Sequence, residues 1–386
     1  MSAIHASALF RPACPVSAVA RRALAESTKY SPVPSKGASE DEVKSARVYC
    51  SGLLQKYDAP SYTLQTFIPP ASRDAYLSLR AFNVSISSIA DTVRNPTVGA
   101  MRLQFWRDAV NSTFRGTPPK EPVAILLSRA LDDLSARGGK MSKGWLLRII
   151  SAREQYLNNP PYPTLEALEA YAESTYSTLL YLTLSTLPLH SLAADHVASH
   201  VGKAAGIAAV LRGLPLIAFP QSEAHHSNTS TTPGTYTPAT RQGAVTLPLD
   251  VMAAHGVQEE AVLRQGPAAP GLADAVFDVA TRANDHLITA REMLRNLRAG
   301  QDVGHAFEHE GEEGHEYATG SRGGGAAETQ ISEVDRGFGA MMPAVATQLW
   351  LDRLQSVDFD VFRPELRRRE WKLPWKSYWA YSRRKF

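Results

Sequence analysis

Cysteine is nearly absent from this chain: Cys14 and Cys50 are the only two among 386 residues. That scarcity excludes a disulfide framework and a cysteine-based zinc cage. A charge excess is lacking too. Lysine and arginine total 41 against 38 aspartates and glutamates, for a formal net charge of +3. No global basic field of the kind that marks nucleic-acid binders is present, so no nucleic-acid partner is expected. No apolar stretch has the length and purity of a membrane span. The Leu179–Leu189 window is too short, and the Ala204–Phe219 window carries Arg212 in its middle. Strict apolar/polar alternation is scarce as well, which leaves Ala244–Leu247 as the one strand candidate. Finally, no acidic residue occurs from Met1 to Ala25.

The acid-poor N-terminal stretch is not empty of signal. Arg11, Arg21 and Arg22 are spread among Ser2, Ser7, Ser17 and several alanines, the composition of a mitochondrial transit peptide. Tyr30–Ser39 is rich in Pro, Ser and Gly and reads as a linker. Residues 1–38 are therefore expected to be an import signal with its linker, which leaves Cys50 as the one cysteine of the mature chain.

Beyond it, 44% hydrophobic and 20% charged residues make an ordinary globular balance that can bury a large core unaided. Ser39 and Glu42 have capping-box spacing, and Val43, Ala46, Cys50, Leu53 and Leu54 follow at helical intervals. Helical periodicity continues over Ser72–Val93, Val98–Phe114, Pro122–Ala136, Lys143–Leu157, Leu165–Leu187 and Ala193–Ile217. It resumes over Val257–Arg264, Leu272–Leu297 and Ala344–Ser356. The fold class is all-α, in one domain over 39–364 followed by a basic, aromatic tail over 365–386. Segments 221–242 and 304–330, rich in Ser, Thr, Gly, His and Glu, read as mobile insertions. His305, His309 and His315 in the second could ligate a metal, but glycine-rich spacing argues against a fixed geometry.

Three stretches carry the chemistry: RAFNVSISSIADTVRNPTVGAMRLQFWR over Arg80–Arg107, GKAAGIAAVLRGLP over Gly202–Pro215, and GAVTLPLD over Gly243–Asp250. Together they resemble the squalene/phytoene synthase family. The resemblance implies an isoprenoid-synthase bundle of helices around a central apolar cavity. It also implies two DxxxD motifs, one on each of two facing helices. Carboxylates at i and i+4 share a helix face. Two such faces hold Mg²⁺ ions, which neutralise an allylic diphosphate and help it leave.

This sequence departs from that pattern. In the first motif Asp91 is retained, but Ser87 stands at the other acidic position. Asp74 lies about 25 Å away along the same helix and is no substitute. In the second motif Gly213 and Ile217 occupy both acidic positions, beside a retained Arg212. Three of four carboxylates are missing. The motifs read as vestigial, the protein as a pseudoenzyme with no catalytic residue, no metal site and no cofactor. Asp274 and Asp278 form a displaced DxxxD with Asp285 near the same face. They are weak metal candidates on the wrong helix; alternatively Asp274 serves the helix dipole while Asp278 and Asp285 pair with Arg282 or face solvent. Arg107 and Arg212 are candidates to hold a phosphate or a carboxylate, or else form structural ion pairs.

Within the family, the chain is similar to the group that assembles respiratory complex I. The stretches YAESTYSTLLYLTL (Tyr171–Leu184), LPLDVMAAHGV (Leu247–Val257) and VDFDVFRP (Val357–Pro364) carry this resemblance alongside those above. It implies a matrix-side place on the mitochondrial inner membrane, with complex I subunits or other assembly factors as partners. The alternatives are a Mg²⁺-dependent prenyl-diphosphate transferase and a prenyl-lipid binder. In the tail, Trp371, Trp375, Tyr378 and Trp379 fall at i, i+4, i+7 and i+8 amid Arg383, Arg384 and other basic residues. Such a face suits an anionic membrane, and the rival arrangement packs the rings back onto the body.

Overall fold

The computed structural model describes residues 38–93, 95–189, 191–220, 243–299 and 324–386, with 324–330 as backbone alone. The expected transit peptide up to residue 37, the first insertion at 221–242 and His305, His309 and His315 lie outside the described residues. The last seven residues of the second expected insertion belong to a helix instead.

Fifteen α-helices build the described chain: α1 (Glu40–Tyr57), α2 (Ala59–Leu64), α3 (Arg73–Thr92), α4 (Pro96–Thr113), α5 (Pro122–Ala136), α6 (Lys143–Gln155), α7 (Leu165–Ala172), α8 (Thr178–Leu184), α9 (Leu192–Ala218), α10 (Leu249–Ala254), α11 (Glu259–Gln265), α12 (Leu272–Arg298), α13 (Gly324–Gly337), α14 (Pro343–Gln355) and α15 (Leu373–Arg383). A π-helical segment, Glu173–Ser177, joins α7 to α8.

Local chemistry starts these helices where the sequence suggests. The backbone N–H of Ser39 donates to Glu42 Oε2 at 2.8 Å, and the Glu42 N–H donates to Ser39 Oγ at 3.3 Å, completing the capping box of α1. Prolines occupy the first turns of α4, α5 and α14, where a missing N–H costs nothing.

No strand occurs among the described residues, so Ala244–Leu247 is corrected to an irregular extended segment. Its backbone groups find helices instead of a neighbouring strand. Ala244 N–H donates to Ile217 O, and Val245 N–H donates to Glu259 Oε1, each at 3.3 Å. The alternation that suggested a strand serves to bury Val245 and Leu247 in the core.

Two apolar clusters form that core. One packs α1, α3, α4, α5 and α6 together; the other surrounds α9 with α7, α12 and α14. Helix α9 is long and apolar enough by composition to cross a membrane, yet much of its surface is buried within the protein. Val197, Val201, Ile207 and Leu211 on it are fully buried. Its glycines set how closely the π segment approaches. A Cβ on Gly202 would lie 2.3 Å from Ser177 Cα, and one on Gly206 would lie 2.6 Å from Ala172 Cβ.

Candidate functional site

The two stretches expected to carry the motifs meet. Ser87 and Asp91 at the end of α3, and Gly213 and Ile217 at the end of α9, line one cavity of about 190 Å³. Spacings of four on each helix aim both pairs across the same space. Ser87 Oγ donates to Val84 O on its own helix at 3.1 Å. Asp91 is exposed at the mouth and has a partner of its own. Gly213 leaves room, since an added Cβ would meet nothing closer than Ile217 Cδ1 at 3.8 Å.

The inner end of the cavity belongs to Arg153 of α6 and to tyrosines, none of which the sequence reading singled out. Arg153 donates through Nη1 to Tyr171 OH, and through Nη2 to Asn83 Oδ1 at 3.0 Å. Its guanidinium carbon lies 5.4 Å and 5.8 Å from the ring centroids of Tyr171 and Tyr176. The π segment makes this double stacking feasible. Its wider turn carries Tyr176 round to the side that Tyr171 occupies, and both rings line the cavity. Tyr156, Tyr162 and Tyr171 form a ring cluster with centroids 4.5–5.4 Å apart. Burial pushes the Tyr162 hydroxyl well above the usual phenol range. The expected apolar cavity is therefore a mixed one, filled largely by tyrosines. At about 190 Å³ it lies below the roughly 300 Å³ at which sites for drug-sized ligands begin. A prenyl chain has little room in it.

The family's chemistry requires Mg²⁺, and this donor set does not fit it. Among the described residues Asp91 is the one carboxylate lining the cavity. Among the described residues no group of three or more histidines, cysteines or carboxylates is placed to hold a metal. No step through a metal follows from this geometry.

The other expected site residues lie elsewhere. Arg107 takes the structural role, gripping Glu154 with Nη1–Oε1 at 3.1 Å and Nη2–Oε2 at 2.5 Å. That pair ties α4 to α6 and holds the Glu154 carboxyl below its usual range. Arg212 stacks 5.2 Å over the Trp350 ring and does not line the cavity. Surrounding protein lowers its pKa by desolvation, although its surface stays open to solvent. Asp274 sits in the first turn of α12. Asp278 pairs with His255 Nε2 at 2.6 Å instead of Arg282, which engages Glu169 and also feels the charge of Asp285. Glu169 also lies 3.6 Å from His286 Nε2, and His286 Nδ1 is 3.0 Å from His200 Nδ1. Burial would raise the Glu169 pKa, but His286 and Arg282 outweigh it and bring it to about 2.

The tail forms a second surface. Pro374 sits in the first turn of α15 and does not break it. Leu373, Ser377 and Ala380 pack inward, while Trp371, Trp375, Tyr378 and Trp379 are 73%, 68%, 57% and 54% exposed. The rings therefore do not pack back, with the exception of Tyr381, 5.1 Å from Phe67. Arg383 lies 5.0 Å over Trp379 at the edge of the aromatic face. Arg384 departs from expectation: its backbone turns left-handed, and its guanidinium folds 3.9 Å over Tyr381.

A helical bundle with two pairs of positions, each spaced by four residues, converging on one cavity is the architecture of an isoprenoid synthase. The squalene/phytoene synthase model matches residues 54–229 and 235–376, and the chain belongs to that family. Its fold is similar to a dehydrosqualene synthase (TM-score 0.62, 14% identity, 89% of this chain and 98% of that one). It is also similar to a squalene synthase from Alicyclobacillus acidocaldarius (TM-score 0.54, 12% identity, 83% and 97%). At such identities the likeness concerns the fold alone. Much more similar in sequence is a Bos taurus protein named NADH dehydrogenase (ubiquinone) complex I, assembly factor 6, at 34% identity over 338 residues, 88% of this chain and 82% of the relative. The Homo sapiens protein of that name is 32% identical over 330 residues, 86% and 80% of the two chains. A Drosophila melanogaster homologue is 36% identical over 251 residues, 64% and 67%.

Proposed function

We propose that this protein is a mitochondrial assembly factor for respiratory complex I, and that its synthase fold is a pseudoenzyme. One observation carries the second half. The four positions that would hold Mg²⁺ converge on a single cavity, yet Ser87, Gly213 and Ile217 are three of them. One carboxylate cannot organise the metals that ionise an allylic diphosphate. The first half is supported by relatives that share about a third of their residues over most of the chain and are named for this role. In this reading its partners are complex I subunits or other assembly factors, and no cofactor is required.

The protein works from the matrix face of the inner membrane, attached peripherally. Helix α15 is the support for this placement. Trp371, just before the helix, and Trp375, Tyr378 and Trp379 on it are exposed aromatics, and Lys372, Lys376, Arg383 and Lys385 lie exposed among them. Contiguous exposed apolar surface marks an interaction site. Interfacial aromatics combined with basic residues suit an anionic leaflet.

The test is deletion of the gene in the source organism, with wild-type and Asp91→Ala copies restored. Loss of complex I and its NADH:quinone activity, rescued by both copies, is the expected outcome. Rescue by wild type alone would return chemistry to Asp91. Unchanged complex I after deletion would overturn the assignment.

A further inference from the structure

The inner end of the cavity carries positive charge without an anion to match it. The polar partners of Arg153 are Tyr171 and Asn83, both neutral. Its Nε is buried without a partner, as are Nε and Nη2 of Arg80, which is 5% exposed. Arg80 stands about one turn further in along α3 than Asn83, and stacks 5.4 Å over Tyr76. Neither arginine forms an ion pair with a carboxylate among the described residues. The acid adjacent in sequence, Glu154, points away from Arg153 and is held by Arg107. Arg80 is buried beyond the cavity lining, and Arg153, half-buried, lines it; charges withdrawn from water are ordinarily paired, so a guanidinium in the cavity with neutral partners calls for an anion.

The cavity also has a polarity along its length. Asn83, beside Arg153, and Asp91, at the mouth, are eight residues apart on α3, or about 12 Å. The basic end is deep and the acidic end is open. Tyrosine rings line the deep end, which suits a flat or short apolar body. The volume of about 190 Å³ limits the occupant to a small molecule.

We infer that the cavity binds a small organic oxyanion, a carboxylate or phosphate ester with a compact apolar or aromatic body, held by the Arg153 fork without a divalent metal. A guanidinium presents paired N–H donors that match either anion. The site would thus have exchanged metal-borne positive charge near the mouth for side-chain positive charge at its floor. This inference is independent of the assembly role, because binding is read on the purified protein.

The experiment is thermal shift and calorimetry on the purified protein in EDTA, with inorganic phosphate, phenyl phosphate, benzoate and neutral benzamide as probes. Expected is a rise of several degrees with phenyl phosphate or benzoate, none with benzamide, and no increase on replacing EDTA by Mg²⁺. Whichever of the two aromatic anions gives the larger rise names the head group. Arg153→Met, which fills similar space, orphans Asn83 Oδ1 and the Tyr171 hydroxyl and so melts lower in buffer; measured against its own melting temperature, it should lose the rise. Asp91→Asn removes a like charge at the mouth and should tighten binding severalfold. The inference is overturned if neither aromatic anion raises the melting temperature, if the rise needs Mg²⁺, or if Arg153→Met retains it. Weaker binding in Asp91→Asn would also overturn it, since the anion would then be reached through a cation on Asp91.

Discussion

Asn83 Oδ1 accepts a hydrogen bond from Arg153 Nη2 at 3.0 Å, joining α3 to α6 at the cavity. Asn83 is itself buried. Asn83→Leu leaves the guanidinium one acceptor short, which costs about 1.5–3 kcal/mol for a bond to a charged group. A urea midpoint that does not move would show that the contact contributes little.

Restoring carboxylates should restore an ion site. In the triple variant Ser87→Asp, Gly213→Asp, Ile217→Asp, four acids face one cavity, and the space beside Gly213 admits a side chain. Without metal, their mutual repulsion lowers stability. Millimolar Mg²⁺ should then raise the melting temperature by several degrees through mass action, while the wild type stays unchanged. Equal responses of the two proteins to Mg²⁺ would mean the four positions do not converge as described.

Close packing of α9 on the π segment predicts sharp intolerance at Gly202. A methyl there meets Ser177 backbone at 2.3–2.5 Å, and backbone cannot rotate away as a side chain would. Gly202→Ala is expected to destabilise by about 1–3 kcal/mol or more and to lower the abundance of the protein in mitochondria. Gly52→Ala on the exposed face of α1 has no atom within 4 Å and serves as the control.

The α15 face gives a surface prediction. Trp371→Ala, Trp375→Ala and Trp379→Ala together should abolish sedimentation with vesicles containing anionic lipid and leave the melting temperature unaltered, because these rings are exposed. Binding of the wild type should weaken with salt, as screening reduces the basic contribution. Undiminished sedimentation of the triple variant would place membrane contact elsewhere.

Glu169 predicts an acid sensitivity with a defined sign. Its folded pKa is about 2 against an ordinary value of 4.5. The stabilisation is therefore fully present above about pH 4.5 and lost as pH falls toward 2. The shift corresponds to about 3 kcal/mol, and the side chain is only 13% exposed, so screening is modest. Between pH 5 and pH 2 the wild type should lose about that much more stability than Glu169→Gln. Parallel pH profiles would contradict it.

Much of the fold was legible because helix starts are local. Ser39 with Glu42 acts on backbone groups within one turn, and the structure places the N-terminus of α1 there; Thr164, Pro122 and Pro343 do the same for α7, α5 and α14. The 3.6-residue period of apolar positions is equally local, and so is the replacement of acids by Ser87, Gly213 and Ile217. The Ala244–Leu247 alternation misled because a strand depends on a partner strand, which no short window contains. The π segment was hidden for a related reason: its extra residue is accommodated by glycines of α9, some thirty positions away.

By itself the sequence determined the all-helical class, the identity of the residues at the motif positions and the aromatic period of the tail, because each depends on residue type and short spacing. Only the tertiary structure decided the rest. Adjacent Arg153 and Glu154 go to opposite fates, one into the cavity and one to Arg107, because neighbouring residues on a helix point about 100° apart. The same step separates the outward rings of α15 from its buried Leu373, Ser377 and Ala380. Which of two directions faces the core is set by the helices that pack there, and those are brought together from distant parts of the chain.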